Sequence, residues 1–263
     1  MNDFMNTELS PLERAEALAD KLTTQQQAEQ LTYDAPPIPA AGLPAYNWWN
    51  EGLHGVAREG TATVFPQAIA LAAAFDRDII RRVGRAIAVE ARAKYNASQR
   101  HGDFDIYKGL TLWTPNINIF RDPRWGRGHE TYGECPYLTA ELGVEMVKGL
   151  QGDGKYLMTA ACAKHFAVHS GPESVRHEFD AEVSPKDLEE TYLPAFKALV
   201  TRAHVEGVMG AYNRVNGEPA CASEMLFKKL KEWGFDGYFV SDCWAIQDFH
   251  EHHMITATAP VSA

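Results

Sequence analysis

The residues best suited to chemistry stand at the ends of short apolar runs. Asp242 follows Tyr238-Phe239-Val240-Ser241, Lys164 and His165 close the run that opens at Ala160, Tyr212 and Asn213 close the one that opens at Gly207, and Glu51 comes just after Tyr46-Asn47-Trp48-Trp49. A carboxylate carried on a strand end can point at a ligand, and it stays ionised when cations lie nearby, which suits it to nucleophilic work. The competing reading of Asp242 is the N-cap of a following helix. Lys164 and His165 pose a geometric problem. Adjacent residues on a regular strand face opposite ways, so both reach one ligand only if the strand bends or ends there.

The elements that would position these groups alternate along the chain. Strand-like runs are Tyr46 to Trp49, Ala70 to Ala74, Thr111 to Asn116, Ala160 to Phe166, Gly207 to Tyr212 and Tyr238 to Ser241. Between them, Asp78 to Ala97, Tyr137 to Leu150, Ser184 to Arg202 and Ser223 to Trp233 read as amphipathic helices. Pro11 to Leu31 has helical spacing behind a Ser10-Pro11 start, and the prolyl stretch after Asp34 is a linker, so residues 1–42 are expected to precede the main domain at 43–263. Repeated strand-then-helix order implies a parallel α/β sheet, either doubly wound or closed as a (β/α)8 TIM-type barrel. No GxGxxG or GxxxxGK[ST] follows a strand, which discounts a nucleotide fold. In a barrel the polar strand ends meet at one mouth. Eight strands are needed, and about twenty residues follow Asp242, so a barrel truncated before its last one or two strands is expected.

Composition narrows the partners. At 263 residues and 45% hydrophobic content the chain can bury one large core. A formal charge of −10 disfavours nucleic acid and anionic membranes, which need a basic face. The six tryptophans suit either core filling or stacking on sugar rings. Cys135, Cys162, Cys221 and Cys243 form no CxxC pair, so neither a zinc cluster nor a redox motif is indicated. The start, Met1-Asn2-Asp3-Phe4, carries no signal pattern and no long apolar stretch follows, so the sequence as written reads as cytoplasmic, with a periplasmic or secreted location if a leader was removed.

Five stretches then carry a resemblance. Asn47-Trp48-Trp49-Asn50-Glu51-Gly52-Leu53-His54-Gly55-Val56, Arg121-Asp122-Pro123-Arg124-Trp125-Gly126-Arg127, Lys164-His165-Phe166, Met209-Gly210-Ala211-Tyr212-Asn213 and Val240-Ser241-Asp242 closely resemble glycoside hydrolase family 3, nearest the bacterial β-xylosidase and β-glucosidase branch. The resemblance runs in order from about Leu43 to His253. It implies hydrolysis of terminal, non-reducing β-linked xylose or glucose with retention, on oligosaccharide or aryl glycoside substrates, with no metal and no organic cofactor. It also implies a barrel followed by an α/β sandwich domain that supplies the acid/base glutamate, a domain not seen in this sequence.

The resemblance assigns roles residue by residue. Asp242 matches the nucleophile, and Lys164, His165 and Arg127 match groups that grip sugar hydroxyls. Arg176 aligns with a second such arginine across a loop that departs in length from relatives, while Arg121 and Arg124 read as structural partners of acidic residues. Tyr212 matches the tyrosine beside the nucleophile. Met209 lines the same wall or fills the barrel, and Trp244 stacks on sugar or plugs the core. Glu51 stands where the glucosidases place Asp, and its extra methylene would intrude on the glucose CH2OH, favouring a pentose. Ala57, where many glucosidases have arginine, agrees. Cys135 replaces an Asp usual in the Tyr132-Gly133-Glu134 context. A β-N-acetylglucosaminidase-like hydrolase, with His177 and Asp180 as its remnant pair, and a non-catalytic carbohydrate-binding fragment are the alternatives. Unpaired barrel edges would favour a homodimer.

Overall fold

A computed structural model of the chain describes residues 3–263; Met1 and Asn2, at the start read above for a signal, lie outside the described residues. Helix α1 (Pro11–Ala19) begins as expected, with Ser10 Oγ accepting from Glu13 N at 3.3 Å and the Glu13 carboxylate accepting from Ser10 N at 2.8 Å. The single helix expected to run on to Leu31 is two helices. Thr23 and Gln26 form a second capping box that starts α2 (Thr24–Glu29), and neither helix has a buried residue to hold the pair in line.

Strands β1 (Asp34–Ala35) and β2 (Tyr46–Asn47) pair antiparallel. The strand expected at Ala70 to Ala74 is instead part of a helical stretch, α3 (Ala68–Ala72). Periodicity does not decide so short an apolar run, and alanine, the strongest helix former, supplies most of it. Next come α4 (Arg77–Arg100), β3 (Thr111–Leu112), α5 (Pro136–Gln151), β4 (Ala160–Phe166), β5 (Asp180–Ala181), α6 (Pro185–Asp187), a π-turn over Leu188–Tyr192, and α7 (Pro194–Ala203). The helix expected over Ser184 to Arg202 is interrupted because Pro194 has no N–H to give. The turn before it widens, and Leu193 N donates to Leu188 O at 3.0 Å. The chain continues with β6 (Gly207–Gly210), β7 (Arg214–Val215), β8 (Glu218–Pro219), α8 (Glu224–Glu232), β9 (Tyr238–Ser241), α9 (Asp248–Glu251) and α10 (Ala259–Ser262).

Strands β3, β4, β6 and β9 form one parallel sheet in that order, and Asn50 adds a parallel bridge to Leu112 on the β3 side. Each new strand joins on the same side as the last. A doubly wound sheet reverses its order, so this is the wall of a (β/α)8 TIM-type barrel. The strands' period of two sorts their residues onto two faces. Ala161, Ala163, Val208 and Phe239 belong to the large core shared with α4, α5 and α7. Cys162, Met209 and Val240 point the other way and meet Trp113, Trp48 and Trp49. Among the described residues no helix is long and apolar enough to cross a membrane. All four cysteines are free.

Helices α4 and α5 cross where Gly84 meets Gly149. A Cβ on Gly149 would lie 2.4 Å from Arg81 O, a backbone atom, whereas one on Gly143 would meet side-chain tips, Leu199 Cδ1 at 2.9 Å and Ile117 Cγ2 at 3.0 Å. Gly149→Ala is therefore expected to destabilise by about 1–3 kcal/mol from overpacking, despite a helix-propensity gain of about 1 kcal/mol. Gly143→Ala should cost less. Urea unfolding of the three proteins checks the ranking, and equal midpoints would refute it.

Candidate active site

The alternation of faces carries chemistry to the C-terminal strand ends. On β9, Val240 faces the interior and so does Asp242 two residues on, whose N–H continues the ladder to Gly210 O at 3.1 Å. On β4, Cys162 and Lys164 follow the same rule. The β4–β6 register then shifts between Ala163 and Phe166, which returns Phe166 to the helix-facing core after one extra residue. A bulge of this kind re-aims side chains, and it lets His165 join Lys164 at the same site. The conflict raised by their adjacency is resolved this way. The Lys164–His165 and Phe166–Ala167 peptides are cis.

Asp242 is 6% exposed. Its Oδ1 accepts from Cys243 N at 2.8 Å, and Oδ2 has no hydrogen-bond partner. A bond from the next residue caps no helix, and α9 begins only at Asp248, so the N-cap reading fails. Burial pushes the Asp242 carboxyl above its ordinary pKa, and the charges of Arg127 and Lys164 pull it back only in part. The sequence pointed to the cations; the size of the opposing desolvation comes from the fold.

His165, 1% exposed, is fixed from both sides. Asn118 Nδ2 donates to His165 O at 2.7 Å, which leaves Asn118 Oδ1 to accept from His165 N at 2.7 Å and from Nδ1 at 3.0 Å. Nδ1 therefore carries the proton, and Nε2 accepts from Arg127 Nη1 at 2.8 Å. Burial, then the Arg127 charge, holds the imidazole well below its ordinary pKa. Its 3.5 Å approach to Asp242 Oδ2 thus joins a neutral ring to a carboxylate and is no ion pair. Arg127 turns its fork to Glu130, with Nε–Oε1 at 2.8 Å and Nη2–Oε2 at 2.6 Å. Burial pushes Glu130 up, but that fork and the Lys164 charge bring it below its ordinary range. Lys164 is lowered by burial and by Arg127, against the pull of Glu130, Asp242 and Glu51.

The remaining expected residues divide. Glu51 accepts from Trp49 Nε1 at 3.2 Å and lies within the electrostatic reach of Lys164. Tyr212 is buried, and burial followed by the Asp242 charge pushes its hydroxyl up. Arg176 does reach the site, its guanidinium 5.2 Å from the Tyr212 ring centre. Met209 is interior filling among Trp113 and Cys162. Trp244 plugs no core: it is 69% exposed on the rim of a cavity of about 460 Å³ that Asp242, Trp48, Trp49 and Trp113 also line. Arg124 grips Asp122 at the surface, as expected, and its fork lowers that carboxyl to about 2. His177 pairs with Asp248 at 2.9 Å, whereas Asp180 accepts from Gly217 N at 2.9 Å. His169 bonds Asn213 at 3.0 Å, and burial lowers it to about 3. Cys135 takes the cap of α5 with sulfur, Leu138 N donating to Sγ at 3.5 Å. Glu130, Asn118 and Asp248 escaped sequence reading; only Glu130 left a signal, three residues beyond Arg127 at ion-pair spacing.

The parallel β/α wall gathers a buried carboxylate and cations at its C-terminal strand ends, the face at which β/α barrels carry their functional sites. Residues 10–263 match the glycosyl hydrolase family 3 N terminal domain, and the chain belongs to that family. It is 46% identical over 267 residues to the xylan 1,4-beta-xylosidase of Xylanibacter ruminicola, covering 97% of this chain and 30% of that protein. It is 43% identical to the probable beta-D-xylosidase 7 of Arabidopsis thaliana, covering 94% and 34%. Among solved structures, a family 3 exo-beta-xylosidase in complex with a xylobiose aziridine activity-based probe aligns with TM-score 0.90 and 32% identity, over all of this chain and 35% of the other. A beta-glucosidase from Erythrobacter marinus aligns with TM-score 0.83 and 30% identity, over 99% and 40%. The chain spans about a third of the length of the curated relatives it matches. The family and the barrel expected from the motifs are borne out.

A carboxyl raised by burial binds its proton more tightly folded than unfolded. Asp242 thus contributes stability only in its protonated form, and that contribution is lost as pH rises through its folded pKa. Asp242→Asn, which stays neutral, should raise Tm at pH 7 by on the order of 2–4 °C for each kcal/mol relieved. The gain should vanish in acid, where Asp242 is protonated. Calorimetric scans across pH check this, and a variant melting lower at pH 7 would refute it.

Proposed function

We propose that this protein hydrolyses terminal, non-reducing β-D-xylosidic bonds with retention, and β-D-glucosidic bonds as a second substrate class, through a glycosyl-enzyme on Asp242. The observation that carries this reading is Asp242 Oδ2: buried, without a hydrogen-bond partner, flanked by His165 and within the charge of Arg127 and Lys164. In the first step this oxygen bonds to the anomeric carbon as the bond to the leaving oxygen breaks; water then releases the sugar. The names of the relatives and the family resemblance support the substrate class.

The reaction also needs a proton donor beside the leaving oxygen. Glu130 is engaged by the Arg127 fork, which brings its carboxyl below its ordinary range, so it does not serve. That role fits the acid/base glutamate of the family's sandwich domain. A phenolate leaving group needs no such proton, so 2,4-dinitrophenyl 2-deoxy-2-fluoro-β-D-xyloside should label this chain on the peptide bearing Asp242. Mass spectrometry should find one adduct per chain, none in Asp242→Ala, and very slow xylobiose hydrolysis by the same preparation. An adduct on a different residue would sink the assignment.

Glu51 is the specificity residue in this reading. One methylene in a fitted pocket is worth roughly 10–200-fold in discrimination. Glu51→Asp is expected to shift the ratio of glucose to xylose affinity towards glucose by at least roughly tenfold. Calorimetric titration with both sugars measures it, and an unchanged ratio would remove Glu51 from that role.

A further inference from the structure

A second polar network, formed by the loop after β4 and the segment after β9, adjoins the Asp242 cluster. Asp248 is 2% exposed; its Oδ2 lies 2.9 Å from His177 Nδ1 and its Oδ1 2.7 Å from His252 Nδ1. On the opposite edge of His177, Nε2 lies 3.2 Å from Arg176 Nε. A guanidinium nitrogen only donates, so Nε2 must present its lone pair and the ring proton must sit on Nδ1, where the Asp248 carboxylate accepts it. Both partners demand the same tautomer. A carboxylate on one imidazole nitrogen also makes the other a better acceptor.

Arg176 is held at a second point, Nη1 donating to Glu173 Oε1 at 2.9 Å, and Glu173 Oε2 accepts from Gly126 N at 3.2 Å beside Arg127. The guanidinium so fixed lies over Tyr212, and the His177 ring packs on that same tyrosine at 4.5 Å between centres. Tyr212 in turn borders Asp242. The chain Asp248–His177–Arg176–Tyr212 is continuous from a buried carboxylate to the reacting one.

The donors of His177, Asp248 and His252 also lie within 4.8 Å of one another, a spacing suited to a divalent cation. The tautomer opposes that use. Ligation through His177 Nδ1 would move its proton to Nε2, where it would face the Arg176 Nε–H, so the network is complete with protons alone.

We propose that Asp248 and His177 are positioning residues that order Arg176 against Tyr212, presenting its guanidinium to the sugar bound at Asp242. This rests on the reading of the Asp242 site as a sugar subsite. His177→Phe keeps a ring against Tyr212 and deletes both ring nitrogens; Arg176→Met removes the group they position, and far-ultraviolet circular dichroism confirms that each variant folds. By nitrogen-15 NMR of the full chain, the Arg176 Nε–H, identified by its loss in Arg176→Met, should exchange slowly in the wild type and become fast or invisible in His177→Phe. Equal protection in both would overturn the proposal. In labelling by the fluoroxyloside, His177→Phe should raise the half-saturating concentration roughly tenfold, as expected for loss of a hydrogen bond to a charged group. Adding it to Arg176→Met should change nothing further, whereas additive effects would show that His177 acts by another route. If the wild type is not labelled, the nucleophile assignment fails instead, and the NMR comparison alone decides the positioning proposal.

Discussion

A carboxylate taken out of water loses its hydration, and fixed positive charge and donated hydrogen bonds restore its ionised form. Asp242 sits at that balance: burial favours its acid, and Arg127 and Lys164 favour its anion. Each cation must therefore be near enough to act and yet not neutralise the carboxylate by direct pairing. The structure meets both conditions by giving Arg127 its own partner, Glu130, and by leaving Oδ2 open. Neutral His165 stands between the guanidinium and the carboxylate, so charge reaches Asp242 through space without closing an ion pair over it.

The barrel supplies the geometry for this balance. Parallel strands bring residues distant in the chain to one level, and their alternation decides which of them look inward. Gly207–Gly210 pairs with β4 on one side and β9 on the other, so Lys164 and Asp242 are tied to one backbone ladder, and Tyr212 follows two residues past its end. A regular β4 would have given one of the Lys164–His165 pair to the helix-facing core. The bulge after Ala163 gives both to the site, and Asn118 then holds His165 by its backbone and its ring. Below them Cys162, Met209, Trp113 and Val240 fill the interior with apolar groups, which keeps the local dielectric low and the charges strong.

Much of this is legible in the sequence. The apolar runs that became β4, β6 and β9 are short and sharply ended, and the stretches that became α4, α5 and α8 are amphipathic at helical spacing. Asp242, Lys164, His165, Arg127 and Tyr212 could be named because they stand at those ends within recognisable motifs. The misreadings have physical causes. Ala70 to Ala74 carries no periodicity that separates strand from helix, Thr23 breaks a helical pattern with a capping box of its own, and Pro194 withholds one hydrogen bond inside an otherwise helical pattern. Asn118 and Asp248 are common residue types in unremarkable local contexts, and nothing in one dimension says that their partners lie 47 and 71 residues away; Glu130 stands at ion-pair spacing from Arg127, which marks a local pair but not a place in the site.

By itself the sequence determined the inventory: which side chains are carried to strand ends, the alternation that presents them, and a family-like order of motifs. Those properties are local, because propensity, capping and period act over a few residues. What tertiary structure alone decided is the state of those groups. That Asp242 is raised and His165 neutral, that the Arg127 fork belongs to Glu130, and that Trp244 lies on the rim rather than in the core all depend on burial and on through-space distance, and these exist only once remote segments have packed together.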